Sequence, residues 1–448
     1  MGVQKREHFG SSWAVISTMA GSAIGLGNIW RFPYMVGEHG GAAFVLIYIL
    51  ATILISMPVF IAEVTVGRRS RASAFSAMSK LDPDHSIWKA AGVMAVAIPI
   101  IIASYYSVIG GWSLDFLIKS CEAEFVRNDP SSVSALFPEF LASGWIPVIV
   151  HLVFMGACAF IVARGIKSGI EKFSKITIPA LFVLIVLMVV YSVSLPGAGA
   201  GVSYLLHPDF GKITPRSCAY AMGQSFYSLS LGMGTIITYG SYVSRKENII
   251  ASSAGTALSD LLFAILAGFA IMPAVFAAGI EPGAGPGLVF QSIPYIFSSL
   301  GASYPVISTI VSVFFFLAVV VAAMTSLISL LEVGVSFLVE NKGFSRRKAS
   351  LLLFLLCGGV GSVCSLSLGP QSFITVGGMT IFDIFDWFSS NILLPILAFT
   401  VVIFVGRVMP RKDVRNEMNS KFFEPVYFLI RWIAPVFLAI LFISNFIL

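Results

Sequence analysis

Charged residues are scarce in this sequence. Of its 448 residues only 11% are Asp, Glu, Lys or Arg, whereas 57% are hydrophobic, and the mean hydropathy is +0.92. Soluble domains carry about 25% charged residues, so this composition excludes an ordinary soluble domain. The composition predicts an all-α polytopic membrane protein.

Motifs of enzymes are missing as well. The sequence has no Walker loop, no HExxH pair and no Cys-His cluster. The Gly and Ser residues around Ser230 lie in an apolar run and not in a GxSxG elbow. The five cysteines lack metal spacing and are interpreted as packing residues. We therefore expect no enzyme but a protein that draws its energy from an ion gradient.

Long apolar runs are what the sequence has in abundance. Eleven of them reach the roughly 20 residues that a membrane helix needs. The first is too long and begins too late to be a cleaved signal peptide. The predicted spans 1 to 11 are Ser12–Val36, Ala42–Val66, Ala90–Leu117, Gly144–Val162, Ile170–Leu195, Ala219–Val243, Ala254–Ala278, Tyr304–Val339, Ala349–Leu368, Phe382–Val405 and Phe423–Ile447.

Basic residues are divided unevenly between the loops on the two sides. If the N-terminus is cytoplasmic, the external loops hold only Lys119, Arg127, Lys212 and Arg216. This asymmetry predicts a cytoplasmic N-terminus and, with eleven spans, an external C-terminus. The net charge of +6 then reflects topology and gives no sign of nucleic-acid binding.

Span 1 contains an interruption. Three glycines fall within seven residues after Met19, and each weakens a helix by about 1 kcal/mol relative to alanine, so a break is predicted near Gly25. Freed carbonyls suit a hard cation such as Na+, and the following half-helix offers amides to a carboxylate. Helix packing through small residues is the alternative, which Asn28 and Arg31 at membrane depth make less favourable.

Span 6 contains a second interruption, in which hydroxyls, glycines and the amide of Gln224 are packed mid-span. Paired interruptions five spans apart point to a transporter site between inverted repeats. We predict a 5+5 inverted repeat, with spans 1–5 in residues 1–200, spans 6–10 in residues 201–410 and span 11 in residues 411–448.

Several polar side chains lie within other spans. Glu63 and Asp260 are ionisable at membrane depth and therefore functional candidates. Glu63 is interpreted as a brace for the amides of a broken helix. The phenol of Tyr106 suits a ligand carboxylate. Thr325 and Ser326 suit a cation, although such hydroxyls often bond back to the preceding turn.

Two features suggest moving parts. Gly169 and Pro179 weaken the cytoplasmic half of span 5, which predicts either unwinding or a simple kink. Asp383 and Asp386 lie on the same side of the membrane as Arg31. A charge pair between Arg31 and one of them would close the outer pathway.

The two interruptions also resemble known motifs. The segment Gly21–Tyr34, with Gly40-Gly41 after it, and the segment Gln224–Gly234 resemble signatures of the neurotransmitter:sodium symporters, most of all bacterial amino-acid transporters of the LeuT type. The resemblance covers spans 1–10. It implies a LeuT-like fold with spans 1 and 6 unwound at mid-membrane, in a bacterial cell membrane.

The resemblance also implies two Na+ sites, a substrate pocket and two gates. The first Na+ site would use Ala23, Asn28, Ser228 and Asp260. The second would use carbonyls of Gly21, Ile24 and Ala322 with hydroxyls of Thr325 and Ser326. The pocket would comprise Ser22, Ala23, Leu26, Gly27, Tyr106, Tyr227, Ser228, Ser230, Met233, Ser326 and Leu330. The gates would be Arg31 with Asp386 outside and Arg6 with Glu340 inside, and Gly169 and Pro179 match a motif for unwinding span 5.

Two departures from the family pattern refine the prediction. Asp260 stands where chloride-dependent relatives have an Asn, so we expect chloride-independent transport. Gly25 stands where monoamine transporters have an aspartate, which favours a ligand that brings its own carboxylate. Because the pocket offers Leu26, Met233 and Leu330 but no charge for a side chain, we expect symport of aliphatic and aromatic L-amino acids into the cell, with two Na+ each. A proton-coupled or exchange transporter of the same fold stays open.

Overall fold

Helices make up most of the residues that the structure describes. The computed structural model describes residues 7–280, 289–301, 304–369 and 374–447. Within these ranges, nine helices are long and apolar enough to cross a membrane. They are span 2 (Ala42–Ser70), span 3 (Ile87–Cys121), span 4 (Trp145–Ala163), span 5 (Ile166–Val193), span 7 (Ile249–Ala277), span 8 (Pro305–Lys342), span 9 (Arg346–Ser367), span 10 (Ile381–Val408) and span 11 (Phe423–Ile447).

Spans 1 and 6 complete the predicted eleven, and each is split into two pieces. Span 1 runs over Ser12–Ala23 and, after a π-helical turn at Gly27–Arg31, over Phe32–Glu38. Span 6 runs over Pro215–Ser228 and Thr235–Gly240. Each piece is too short to cross a bilayer by itself. The structure therefore confirms both predicted interruptions.

Backbone conformation accounts for the break in span 6. Ser230, Gly232 and Gly234 all have positive φ, at +54°, +71° and +70°. A Cβ on Gly232 would stand 2.3 Å from the carbonyl oxygen of Leu394, so no side chain fits there. The left-handed residues end the α-helical hydrogen-bond pattern, and glycine is the residue that tolerates this conformation.

The remaining elements are short and lie between the spans. The first half of span 1 packs against spans 5, 7 and 8, and span 8 packs along span 3, which places the break in span 1 inside the bundle. The short helices are Ala74–Leu81, Glu124–Arg127, Pro130–Ala142, Gly199–Leu206, Ser292–Gly301 and Arg411–Met418, with a 3-10 turn at Phe210–Lys212. A two-residue hairpin pairs Thr375–Val376 with Met379–Thr380 in antiparallel fashion.

Candidate functional site

The two breaks meet at the centre of the bundle. Ser230, in the break of span 6, donates its hydroxyl to the carbonyl oxygen of Ser22 at 2.8 Å, and Ser326 of span 8 donates to the same oxygen at 3.3 Å. Gln224 donates its side-chain amide to the carbonyl of Gly27 at 2.8 Å. The Ser22 carbonyl, which the break in span 1 frees, is thus satisfied by side chains of spans 6 and 8, which is how a broken helix is tolerated at membrane depth.

Amides freed by the break in span 1 are also engaged. The backbone N–H of Gly25 donates to Asn28 Oδ1 at 3.1 Å, and that of Leu26 donates to the hydroxyl of Tyr106 at 3.2 Å. A Cβ on Gly25 would stand 2.4 Å from Ser326 Oγ. This position therefore has no room for an aspartate, and a carboxylate would have to arrive with a ligand.

A buried carboxylate lies beside this break. Asn28 Nδ2 donates to Asp260 Oδ1 at 2.7 Å, and the hydroxyl of Ser228 donates to Asp260 Oδ2 at 2.8 Å. Tyr48 donates to Oδ2 at 3.5 Å. All four side chains are essentially inaccessible to solvent. In the part of the chain that the structure describes, no basic side chain forms an ion pair with Asp260, so its charge is balanced by dipoles alone.

A second group of oxygens gathers on the opposite side of the break. The hydroxyl of Thr325 donates to the carbonyl of Ala322 at 2.9 Å and to that of Ile24 at 3.4 Å. A Cβ on Gly21 would stand 3.4 Å from Thr325 Cβ, so Gly21 adjoins the same group. Ser326 directs its hydroxyl to Ser22 instead. This region contains carbonyls and a hydroxyl without a carboxylate.

The donor types fit a hard monovalent cation. Among the residues that the structure describes, no three or more His, Cys, Asp or Glu cluster as a transition-metal site would require. Both groups consist of oxygens, and the first one contains a buried carboxylate that lacks a cationic partner. A buried charge of this kind is costly unless it is paired, and an alkali ion would pair it.

A cavity of about 30 Å³ lies between the two groups. Its apolar lining includes Ile102, Met233 and Leu330. Ile102 escaped the sequence analysis, although it precedes Tyr106 by four residues and so lies on the same helix face. Nine of the eleven predicted pocket residues line the cavity, namely Ala23, Gly27, Tyr106, Tyr227, Ser228, Ser230, Met233, Ser326 and Leu330. Of the other two, Leu26 lines the neighbouring outer cavity and Ser22 bonds to Ser329 Oγ at 2.8 Å.

A larger cavity of about 250 Å³ adjoins the pocket on the predicted external side. The two share Gly27, Tyr106 and Tyr227 as lining residues. Arg31 and Asp386 line the larger cavity together, and the guanidinium of Arg31 lies 4.9 Å from the centre of the Tyr227 ring. No ion pair joins Arg31 to Asp386 in this conformation, so the predicted outer gate is not closed by one.

The opposite side of the pocket is packed and charge-paired. Glu332 of span 8 is fully buried and accepts hydrogen bonds from Tyr242, at 2.7 Å, and from both terminal nitrogens of Arg346. The ring of Phe9 packs edge-on against Tyr242 and Tyr239. These contacts join spans 1, 6, 8 and 9. The structure is therefore open toward the predicted external side and closed toward the cytoplasmic side.

Of the two residues predicted to form the inner gate, only Glu340 lies within the part of the chain that the structure describes. Glu340 accepts hydrogen bonds from the backbone N–H of Ser73, at 2.8 Å, and from the hydroxyl of Ser336, at 3.2 Å. Its predicted partner Arg6 lies outside the described residues. Gly169 falls in a π-helical turn, Ile166–Glu171, and Pro179 lies within the α-helix that follows. Span 5 is thus helical in this conformation, and its unwinding stays a prediction.

Glu63 reaches across from span 2 to the break in span 6. One of its carboxylate oxygens accepts the backbone N–H of Gly232 at 2.7 Å. The other oxygen is buried and has no hydrogen-bond partner in the structure. Such an acceptor stabilises an unwound segment because it satisfies an amide that has lost its helical partner.

Besides Ile102, the sequence analysis missed two participants. Tyr48 of span 2 bonds to Ser228 at 3.3 Å as well as to Asp260, but a lone Tyr in an apolar run gives no signal of this. Glu332 did have a signal, because an ionisable residue within span 8 is a functional candidate by default. Its partner Arg346 is the first residue of the next span.

Two broken helices that enclose a pocket and two oxygen-lined regions at mid-membrane define the class of secondary transporters with inverted repeats. The family model described as "Sodium:neurotransmitter symporter family" matches residues 6–135 and 137–448. The chain therefore belongs to this family, and its resemblance to the family's signatures is confirmed.

Individual relatives agree with this assignment. The chain is 37% identical to the sodium-dependent transporter YhdH of Bacillus subtilis (strain 168), over 99% of this chain and 98% of that protein. It is 25% identical to the sodium- and chloride-dependent taurine transporter of Bos taurus, over 86% of this chain and 68% of that one. The crystal structure of MhsT in complex with L-phenylalanine matches with 38% identity and a TM-score of 0.89, covering 98% of this chain and 100% of that one. The fold is thus LeuT-like, as predicted.

Proposed function

We propose that this protein carries hydrophobic L-amino acids into the cell together with two Na+ ions and without a need for chloride. The observation that carries the proposal is the position of Asp260. Its buried carboxylate touches Asn28 and Ser228 beside the central pocket and is balanced by dipoles alone. A fixed negative charge at this place would bind Na+ and make a chloride ion unnecessary.

Binding of the first ion would rearrange Asn28. In the structure its Nδ2 donates to Asp260, while its Oδ1 accepts from Gly25. A cation beside Asp260 cannot share that side with an amide donor, so the Asn28 side chain would turn its oxygen toward the ion. The N–H of Gly25 would then be released beside the pocket. Sodium binding and preparation of the amino-acid site are coupled in this way.

The second ion would lie between Thr325, Gly21 and the carbonyls of Ile24 and Ala322. Support comes from the geometry of Thr325, whose hydroxyl already links spans 1 and 8 through Ile24. An ion there would hold the two spans together. Its release would loosen that contact and favour opening on the other side.

An amino acid fits the remaining features of the pocket. Its carboxylate would replace the Tyr106 hydroxyl as partner of the Leu26 N–H. Its side chain would point to Ile102, Met233 and Leu330, none of which carries a charge. The cavity of 30 Å³ is smaller than a bulky side chain, so the pocket must widen on binding. The flexible side chain of Met233 suits that adjustment.

Transport would proceed by alternating access around this pocket. The outer cavity admits the ligand, after which Arg31 and Asp386 would close it. Opening inward would require Glu332 to part from Tyr242 and Arg346. We propose Arg6 and Glu340 as the inner gate. We place the first repeat in residues 1–200, the second in 201–410 and span 11 after them, in a bacterial cell membrane with the N-terminus inside.

Uptake into proteoliposomes tests the proposal. With an inward Na+ gradient and equal pH on both sides, labelled L-leucine should accumulate above its external concentration. Unlabelled tryptophan, tyrosine or phenylalanine should compete, whereas lysine and glutamate should not. Competition by lysine or glutamate but not by tryptophan would refute the substrate class.

A proton-coupled carrier of the same fold is the second candidate. Glu63 favours it, because one of its buried oxygens lacks a partner and could hold a proton. Uptake that persists without Na+ and follows an imposed pH gradient would support this candidate over the first. A Glu63→Gln variant should then lose the pH-driven component.

A further inference from the structure

A groove opens on the lipid-facing surface between spans 4 and 9, away from the central pocket. Its volume is about 290 Å³, and small residues of span 4, Gly156, Ala159 and Ala163, contribute to its lining. Neighbouring apolar side chains on the two spans, such as Val153 and Leu355, are 57% and 59% exposed. In a membrane protein such side chains face hydrocarbon, so the groove opens into the bilayer.

Positive charge lies at one end of the groove. Arg347, the second residue of span 9, lines it, and the guanidinium of Arg164 lies 4.5 Å from the ring centre of Phe160, which also lines it. Both arginines are exposed and stand where span 4 ends and span 9 begins. The predicted topology puts this end at the cytoplasmic surface, at the level of lipid headgroups.

Two carboxylates that contact residues adjoining these arginines in the chain are engaged elsewhere. Glu7 accepts the backbone N–H groups of Ile166 and Lys167 at 2.9 and 3.2 Å. Glu332 is taken up by Arg346. Across the described ranges, no carboxylate forms an ion pair with Arg164 or Arg347. Their charge is available to an anion.

A polar atom inside the groove lacks a partner. Ser350 lines the groove and is only 3% exposed, yet its hydroxyl makes no hydrogen bond in the structure. Buried hydroxyls are nearly always paired, and an acceptor in the groove would pair this one once the Ser350 side chain turns toward it. Ser350 lies one turn beyond Arg347 in span 9, which is the depth of the ester groups below a phosphate.

We propose that this groove binds one anionic phospholipid of the cytoplasmic leaflet. An acyl chain lies along Gly156 and Ala159, an ester carbonyl accepts the Ser350 hydroxyl, and the phosphate faces Arg164 and Arg347. An acyl chain alone would leave both arginines and Ser350 unsatisfied. A zwitterionic headgroup would add a positive charge beside the arginines and bind less well.

Native mass spectrometry of the full chain in mild detergent tests the headgroup. With dioleoyl phosphatidylglycerol and dioleoyl phosphatidylcholine offered in equal amounts, we expect at least about fivefold preferential retention of the anionic lipid, the factor that one basic residue beside an anionic lipid implies. Arg347→Gln should lower its retention about fivefold. Lys89→Gln, which removes an exposed charge at the same predicted surface, should leave retention unchanged.

A second pair of variants tests the acyl-chain groove. Gly156→Leu should fill the groove and abolish retention of the anionic lipid, since the new Cβ meets only Phe354, at an ordinary 3.6 Å. Gly359→Leu is the matched control, because a Cβ there has nothing within 4 Å. Glycerol phosphate, which has no acyl chains, should not displace the lipid. Sodium-dependent thermal stabilisation should persist in every variant and so report correct folding.

Three results would overturn the proposal. The first is equal retention of the two lipids by the unaltered chain. The second is unchanged retention of the anionic lipid in both Arg347→Gln and Gly156→Leu. The third is a change of oligomeric state in Gly156→Leu with unchanged lipid retention, which would assign the groove to a helix of a second copy.

Discussion

The two oxygen-lined regions beside the pocket differ in how they supply negative charge. The region around Asp260 contains a full carboxylate, held by Asn28, Ser228 and Tyr48. The region around Thr325 contains only carbonyl and hydroxyl oxygens. The first is a charged site built from three spans besides span 1, whereas the second is a neutral contact between spans 1 and 8.

This difference predicts different duties for the two ions. A cation beside a buried carboxylate gains much from pairing and depends little on small shifts of its other ligands. A cation held by dipoles alone depends on all of them together, so it would be lost when spans 1 and 8 move apart. The charged region would therefore determine the affinity for Na+ and the dependence on chloride. Occupancy of the neutral region by Na+ would depend on whether spans 1 and 8 are in contact. The following substitutions test this division.

The largest effect is expected from Asp260→Asn. Removing one partner of a buried ionic pair costs about 3–5 kcal/mol, which corresponds to a more than 100-fold loss of apparent Na+ affinity. The Na+ dependence of thermal stabilisation in purified protein measures it. Asp209→Asn, at a position whose side chain is 59% exposed, should behave like the unaltered chain. If the Na+ concentration for half-maximal thermal stabilisation is unchanged in Asp260→Asn, the Asp260 carboxylate does not bind Na+.

A smaller effect is expected from Thr325→Val. Loss of a buried hydroxyl that serves as a ligand costs roughly 1–1.5 kcal/mol, or about tenfold in Na+ affinity. The matched control is Thr309→Val in the same span, whose hydroxyl only bonds back to Pro305 at 2.9 Å. Added chloride should improve Na+ binding in Asp260→Asn but not in Thr325→Val. If chloride raised the Na+ affinity of both variants to the same degree, the two regions would not differ in how they supply negative charge.

The smallest effect is expected from Tyr48→Phe. Its hydroxyl lies 3.5 Å from Asp260 Oδ2 and contributes a weak hydrogen bond, so apparent Na+ affinity should fall by no more than about threefold. Tyr204→Phe, which removes a half-buried hydroxyl bonded to the Gly37 carbonyl at 2.8 Å, controls for the loss of a hydrogen-bonded phenol. A loss as large as that of Asp260→Asn would make Tyr48 a principal ligand and not a support.

Much of the fold was predictable because membrane helices follow length and hydropathy. All eleven spans were found from apolar runs, and both breaks from clustered glycines. The contacts within the site were harder to predict, because they join residues that are far apart in the sequence. Nothing local marks Tyr48 as a pocket neighbour, because its role depends on how span 2 packs, whereas Ile102 could have been found from its spacing of four residues to Tyr106. Glu332 could have been found, since a lone carboxylate in an apolar run is itself a signal.

The conformation could not have been predicted from the sequence. Arg31 and Asp386 were recognised as a possible pair, but whether they meet depends on the state of the bundle. The structure has them lining one cavity without an ion pair, while Glu332, Tyr242 and Arg346 close the other side. Local patterns specify which groups can pair, and the balance between two packed arrangements decides which of them do.

Chloride replacement tests whether Asp260 supplies the charge for a bound sodium ion. Sodium-driven uptake of labelled L-leucine into proteoliposomes would be measured with chloride on both sides and again with gluconate in its place. If the Asp260 carboxylate replaces chloride, the initial uptake rates in the two media should be equal. An uptake rate that collapses in gluconate would contradict this role of Asp260, because the fixed carboxylate would then not replace the chloride ion.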